Sequence, residues 1–522
     1  MLGELLDNAV SVFAPAAAAR RAYARQVFRK QSQRAYEAAR VDRMNSSWYT
    51  ANQSADRALL GDADKVRMRS RDLIRNNAYA RGAIDAIVAN VVGCGIIPRP
   101  ALENDDQNEA ILRAWQRWCE QADSAGRLHF YEMQSLALRE MIEAGEGLVH
   151  FTADTEDPIR VSPLALELIE ADRIDSGQDT YRTGQKENTN EVRRGVELDR
   201  RGRAVGYYLF PTHPDGTGLS YSSSQRVDAA GILHVFRQER IGQTRGISWL
   251  SPAVMWLRDL GLYVDNEIQA SAVASCFSVV IKTIDSGDTF GAIATPSGAE
   301  STDSDGNRFE RIQPGLVSHL MPGESIETVN PSRPNSAAGP WIDLILRSIA
   351  VGMGLSYELV SRDYSKTNYS SNRASALEDR RRFKPLQKFL VWHLCQPVYR
   401  EWFTSCVIAG RDGFPSVDEF VANPDAWLMV NWRPPGWEWV DPLKEAQASQ
   451  LEVEQGFRSR GDVIESAGGD LREVYAELAQ EKELAEFYGL TFGPQQAAAI
   501  PQSMGTEDVV QEPTNEEAVA SV

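Results

Sequence analysis

Paired cysteines are missing from this sequence. Cys94, Cys119, Cys276, Cys395 and Cys406 are scattered through 522 residues with no CxxC spacing, which excludes a disulfide framework or a cysteine-rich zinc site and predicts buried thiols in a reducing compartment. The six histidines, at 129, 150, 213, 234, 319 and 393, form no HExxH or HxH cluster, so neither a metal nor any other cofactor is expected. No GxxxxGK[ST] phosphate loop and no GxSxG elbow occur, which argues against an ATP-driven motor or a serine hydrolase within the chain. The start lacks the charged segment and long apolar core of a signal peptide. A membrane span needs roughly 18 to 20 apolar residues, and the nearest run, 251–281, is interrupted by Arg258, Asp259, Asp265 and Glu267.

Positive charge is also scarce. With 55 Lys and Arg against 73 Asp and Glu, the formal net charge is -18, whereas a protein that coats nucleic acid usually carries a basic domain. Any nucleic-acid contact must therefore be local. Carboxylate pairs such as Glu378-Asp379 are sequence neighbours on a helix, so they point apart and do not jointly hold a metal. No catalytic residue is expected.

What remains is an ordinary globular composition, 43% hydrophobic and 25% charged, long enough for roughly two to four domains. Residues 20–43 hold eight Lys and Arg against Glu37 and Asp42, predicting an exposed basic helix or arm. The stretch RSRDLIRNNAYARGAIDAIVANVVGCGIIPRP, 69–100, reads as two helices broken at Asn76-Asn77, with Gly93 at a left-handed cap. Further helices are expected near 105–122 and 130–145. Between 147 and 240 the apolar period changes to two, and VELD-RRGR-AVGYYLF reads as a hairpin.

Ser251-Pro252 resembles a helix start, cap followed by first-turn proline, opening a helix of about 27 residues and roughly 40 Å. Residues 285–337 are dense in Gly, Pro, Ser and Asp, with strand-like runs at 316–321 and 325–329, and read as a loop-rich insertion before a second helix that opens at Pro340 and ends at Gly354. SRDYSKTNYSSNRASALEDRRRF, 361–383, follows; a long helix from about 373 to 405 should bend near Pro385 and Pro397. The chain beyond is helical, with Asp441-Pro442 as a cap. Residues 503–522 carry five acidic and no basic residues, the pattern of a disordered tail.

The ordered combination RSRDLIRNNAYARGAIDAIVANVVGCGIIP, HVFRQERIGQTRGISWLSPA, HLMPGESIETVNP, GMGLSYELVSRDYSKTNYSSNRASALEDRRRF and VDPLKEAQA resembles the portal proteins of tailed bacteriophages, lambda family, over roughly 50–490. The resemblance implies a mainly helical α+β portal fold that assembles as a ring, usually a dodecamer. It implies a wing at 49–250 and 373–440, stem helices at 251–284 and 338–360, a clip at 285–337, a tunnel loop at 361–372 and a crown at 441–490. The arm at 1–48 and the tail at 491–522 flank them. It further implies a structural, non-enzymatic portal at one capsid vertex, assembled in the host cytoplasm and carried in the virion. Double-stranded DNA would be packaged and ejected through its channel. Its partners would be terminase, head-completion proteins, and capsid and scaffold proteins, with no membrane contact.

As the tunnel loop that the resemblance implies, the segment would bring Arg362, Lys366, Asn368, Asn372 and Arg373 within reach of DNA phosphates, without sequence preference. An acidic conduit would repel the duplex and let it slide where a basic one would grip. Arg380, Arg381 and Arg382 fan over nearly a full helical turn, which favours intersubunit salt bridges with carboxylates such as Glu378 and Asp379. The alternative function class is a head-associated nuclease built on the 361–382 cluster; a monomeric adaptor is a further one.

Overall fold

A computed structural model describes residues 51–155, 160–180, 190–215, 223–276, 280–283, 301–302, 308–309, 324–327, 337–438 and 441–490, with isolated positions 16, 20 and 23. The basic arm, most of the expected clip, the acidic tail and the Cys276 side chain lie outside the described residues.

The chain divides into two units. The smaller comprises residues 1–62 and 238–244. In it α1, Ala55–Leu59, is capped by Ser54, whose hydroxyl accepts from Arg57 N–H. The Asp56 carboxylate accepts from the backbone N–H and hydroxyl of Thr244 at 2.8 and 3.0 Å, and Arg240 donates to Gln53 O. These bonds tie the loop at 238–244 to the first turn of α1 and to the residues just before it.

In the larger unit α2, Ala63–Asn76, and α3, Ala78–Val91, follow one another directly. The break between them is made by Asn77, whose side-chain oxygen accepts from Tyr79 and Ala80 N–H, and Gly93 turns the chain at φ 51°. Then come β1, Ile97–Pro100, α4, Asp105–Cys119, and α5, Phe130–Glu143. Strands β2, Glu146–Ala153, and β3, Leu164–Glu170, follow. A meander comes next: β4, Glu191–Arg193, β5, Val196–Leu198, β6, Ala204–Leu209, and β7, Gln225–Asp228. Strand β8, Ile232–Phe236, closes the layer. The order β3-β2-β8 forms one antiparallel sheet, with Val149 opposite both Leu168 and Leu233, and β4-β5-β6-β7 forms a second. The RRGR hairpin expected from the sequence is the β5–β6 turn, held by Asp199, which accepts from the N–H groups of Arg201 and Arg203.

Helix α6 spans Val254–Cys276. It starts three residues after Ser251, because Ser251 and Pro252 lie in turns closed by Ala253 N–H and Val254 N–H donating to Leu250 O. The proposed Ser-Pro cap is therefore not the helix start. Beyond α6, β9, Val280–Thr283, pairs with β12, Glu324–Glu327, and β10, Ser301–Thr302, with β11, Arg308–Phe309. Helix α7, Ala338–Met353, ends where Gly354 adopts φ 70°. After the short α8, Tyr357–Ser361, comes α9, Tyr369–Leu390. A π-helical turn at Val391–Cys395 separates α9 from α10, Gln396–Ile408. Pro385 lies inside α9, and the π-turn falls between it and Pro397, where the sequence predicts a bend.

The chain continues through α11, Val417–Ala422, α12, Pro424–Trp427, and β13, Val430–Arg433, which pairs antiparallel with β1. It then runs through α13, Pro442–Glu454, α14, Arg460–Ser466, and α15, Leu471–Phe487. Asp441 caps α13 through Lys444 N–H, as its place before Pro442 predicts.

The main core joins α3, α4, α5, α9 and α10 around Trp115, Trp118, Trp402, Tyr399 and Phe403, all fully buried. Trp115 meets Trp402 edge-on at 4.9 Å; each such ring buries roughly 150 to 250 Å². A second core lies between the two sheets around Ile169, Val196 and Tyr207. Cys119, Cys395 and Cys406 are buried thiols, as the composition suggests, but Cys94 is exposed because it follows Gly93 out of the helix.

Candidate functional site

The polar segment after α7 is shorter as a loop than its sequence suggests. Asn368 caps α9: its side chain accepts from Ser371 N–H while the Ser371 hydroxyl bonds the Asn368 backbone, a reciprocal capping box. Helix therefore begins at Tyr369, so Asn372 closes its first turn, Arg373 opens the second, and the loop proper is 362–368. The helix signal was legible in Asn368, three residues before a serine, but the run of Ser and Asn around it offered several equivalent caps.

The other end of the loop is fixed by Arg362, a non-glycine residue at φ 58° that terminates α8. Asp363 accepts from the hydroxyl and N–H of Ser365, and these bonds hold its carboxyl below the usual range. Lys366 reaches back to the Asp343 carboxylate on α7, which Tyr357 also contacts at 3.0 Å. The Lys366 hydrogen bond foremost, with that of Tyr357, lowers the Asp343 pKa and raises that of Lys366 in turn. Arg373 pairs with Glu445 of α13 at 3.2 Å. Of the five expected phosphate-contacting residues, Lys366 and Arg373 are thus in ion pairs and Asn368 is a cap. Arg362 is exposed, with no side-chain partner among the described residues, and Asn372 is half-buried.

The arginine run also separates. Arg380 donates to Glu438 O at 3.0 Å and lies 5.9 Å over the Trp437 ring. Arg381 is exposed and near Glu378 at 3.8 Å, an i,i+3 contact. Arg382 packs against Gly354, where an added Cβ would lie 2.2 Å from its Nη1, so the glycine serves both the left-handed turn and the guanidinium. Asp379 is buried: its carboxylate accepts from Ser356 N–H at 2.9 Å and the Ser356 hydroxyl at 2.6 Å. Burial first, against those bonds, raises its pKa. It therefore joins α9 to α8 within the chain and is unavailable to a neighbouring subunit, which corrects its assignment as an intersubunit carboxylate. The same burial removes it from any Glu378-Asp379 metal pair.

A second constellation escaped the sequence reading. Glu146, fully buried at the start of β2, accepts from Arg245 at 2.6 Å, Arg67 at 3.2 Å and His234 at 3.0 Å. It also accepts from Gly246 N–H at 2.8 Å. Burial opposes its ionisation, but Arg245 and His234 outweigh that and hold its pKa well below the usual range. Beside it Arg71 is shared by Glu140, Asp172 and Glu143 at 2.8, 2.5 and 3.7 Å. The signal was present in GEG at 145–147, a lone acid among glycines opening an apolar strand, and in TRGIS at 244–248. Among the described residues one trio, Glu170, Asp172 and His213, has ligand atoms within 4.8 Å of one another. Asp172 is already held by Arg67 and Arg71. Among the described residues no helix is long and apolar enough to cross a membrane.

Helices α6 and α7 bracketing 277–337, the tethered polar loop and most of α9 lie within a match to the family described as Phage portal protein, lambda family, which spans residues 41–387. The chain belongs to this family. It is 26% identical over 470 residues to a probable portal protein of Halomonas phage phiHAP-1, covering 86% of each chain. It is 26% identical over 490 residues to the portal protein of Escherichia phage N15, covering 87% of this chain and 90% of the other. With portal protein B of Escherichia phage lambda the identity is 25% over 469 residues, covering 83% and 86%. A chain from the neck of an empty gene transfer agent particle is similar at TM-score 0.44 and 15% identity, covering 77% of this chain and 93% of that one.

Proposed function

We propose that copies of this chain close into a ring of about twelve at one capsid vertex, with double-stranded DNA passing through the axial channel during packaging and ejection. The single observation that carries this reading is the apolar surface of α6 and α7. These helices pack on each other, yet leave Trp256, Leu262 and Ile268 on α6 and Trp341, Leu344 and Val351 on α7 exposed, Val351 at 79%. On α7 the three lie within about 80° of one another around the helix, an apolar stripe of the kind that marks an interaction surface and that a subunit interface would cover.

On this reading α6 and α7 belong to the stem, the segment between them to the clip that docks terminase and head-completion proteins, 49–250 and 373–440 to the wing, and 441–490 to the crown. The 362–368 loop faces the channel, where Arg362 meets phosphate directly. Arg381 and Glu378 remain available for contacts across subunits. The role is structural, in the virion, with capsid and scaffold proteins as further partners and assembly in the host cytoplasm. Mass measurement in solution tests the ring: about 0.7 MDa is expected, twelve times the 58.0 kDa chain, with closed rings in end-on electron micrographs. A monomer at every concentration would overturn the reading.

A further inference from the structure

A cleft of about 390 Å³ opens beside α9, within the range of roughly 300 to 1,000 Å³ typical of binding pockets. Its floor is apolar, built by Met141, Phe383 and Phe389 among others, and its rim carries three guanidinium groups, from Arg237, Arg381 and Arg382. Arg237 is braced 5.6 Å over the Trp249 ring and Arg382 against Gly354, while Arg381 is 80% exposed. In a chain of net charge -18, three cations around one apolar floor select an apolar group flanked by carboxylates.

The chain itself displays such a group at the end of α15. Phe487 is 81% exposed and Tyr488 67%, with their rings edge-on at 5.1 Å. Glu483 lies one turn before Phe487 and Glu486 is adjacent to it. Lys482 projects about 140° from Phe487 around the helix, though it lies one turn before Glu486 and on its side, which leaves Glu483 as the carboxylate nearest the aromatic ring. Within one chain the aromatic pair stays in solvent and does not fill the cleft. We propose that the Phe487-Tyr488 knob of one copy inserts into the arginine-rimmed cleft of the next, with Glu483 and Glu486 facing Arg381 and Arg382. The two surfaces differ, so the contact is head-to-tail, the kind that closes rings. The inference rests on the ring proposed above and names one of its contacts.

Charge exchange tests it on the full-length chain. Arg381 is exposed and bonds only weakly within the chain, so Arg381→Glu should leave folding intact while lowering the ring fraction at low salt about tenfold. Glu483→Arg with Glu486→Arg should do the same, and the combined triple variant should recover most of the rings. The loss should shrink at high salt, where the Debye length falls to about 3 Å. As an independent readout, an Arg381→Cys chain co-expressed with a differently tagged Glu483→Cys chain, both carrying Cys94→Ser because Cys94 is exposed, should yield an intermolecular disulfide joining the two tags once the purified assembly is treated with a mild thiol oxidant, which takes up the two electrons. If the parent chain forms no rings, the channel reading itself fails and this contact with it. If the parent forms rings and Arg381→Glu assembles equally well, if the triple variant merely adds the losses, or if no mixed disulfide forms, the knob-and-cleft contact alone is refuted.

Discussion

Glu146 illustrates how a single buried acid can organise three elements. Its carboxylate joins α2 through Arg67, β8 through His234 and the 244–248 turn through Arg245 and Gly246. Removing one partner of such a group leaves the others charged and buried, which costs about 3 to 5 kcal/mol. Glu146→Gln is therefore expected to give a poorly soluble or early-melting chain, whereas Arg381→Glu on the surface should not; thermal unfolding of the two compares them. Glu140 behaves in the opposite sense. Burial foremost raises its pKa from 4.5 to about 7, and Arg71, shared with other carboxylates, offsets this only in part. A raised folded-state value stabilises the protonated form. Its contribution, about 3 kcal/mol at most, is thus complete below pH 4.5 or so and is lost as pH rises through about 7. Glu140→Gln should flatten the decline in unfolding temperature between pH 5 and 8. Parallel profiles for parent and variant would show that Glu140 stays ionised.

At the scale of elements, what was legible followed from local chemistry. Asn77 and Asp441 were readable as caps, and Gly93 and Gly354 as left-handed stops, because each acts on backbone groups within a few residues of itself. What was not legible depended on distant partners. Nothing near Asp379 in sequence foretells Ser356, and nothing around Ser251 foretells that Leu250 O would close a turn there and delay α6. The crossing of Gly145 and Gly246 belongs to the same class. A Cβ on Gly246 would lie 2.0 Å from Gly145 O, and one on Gly145, at φ 96°, would lie 2.3 Å from the Ile247 backbone. Neither neighbour is a movable side-chain tip. Gly246→Ala should therefore lower the unfolding temperature markedly, while alanine at Gly202, which meets nothing within 4 Å but has φ 79°, should cost only the strain of a left-handed residue, about 1 kcal/mol. Equal losses would show that the backbone crossing can relax.

For the whole molecule, the decisive distinction is between groups that hold subunits and groups that meet the cargo. Arg362→Ala with Lys366→Ala removes two exposed charges per copy, each worth little alone, but repeated in every copy around the proposed ring. Rings and empty procapsids of normal appearance are expected, with less DNA retained per head. A double variant that fails to form rings, while whatever assembles packages normally, would make the loop a subunit contact. The tether between Lys366 and Asp343 gives this loop a further property. The ammonium group already rests on a singly charged oxygen anion, and a DNA phosphate oxygen is another of the same charge. Handing Lys366 from one to the other replaces like with like, and a pair this exposed to water is weak and readily exchanged. A passing duplex could borrow the lysine and return it at each step, so the loop would work as a ratchet pawl with almost no spring.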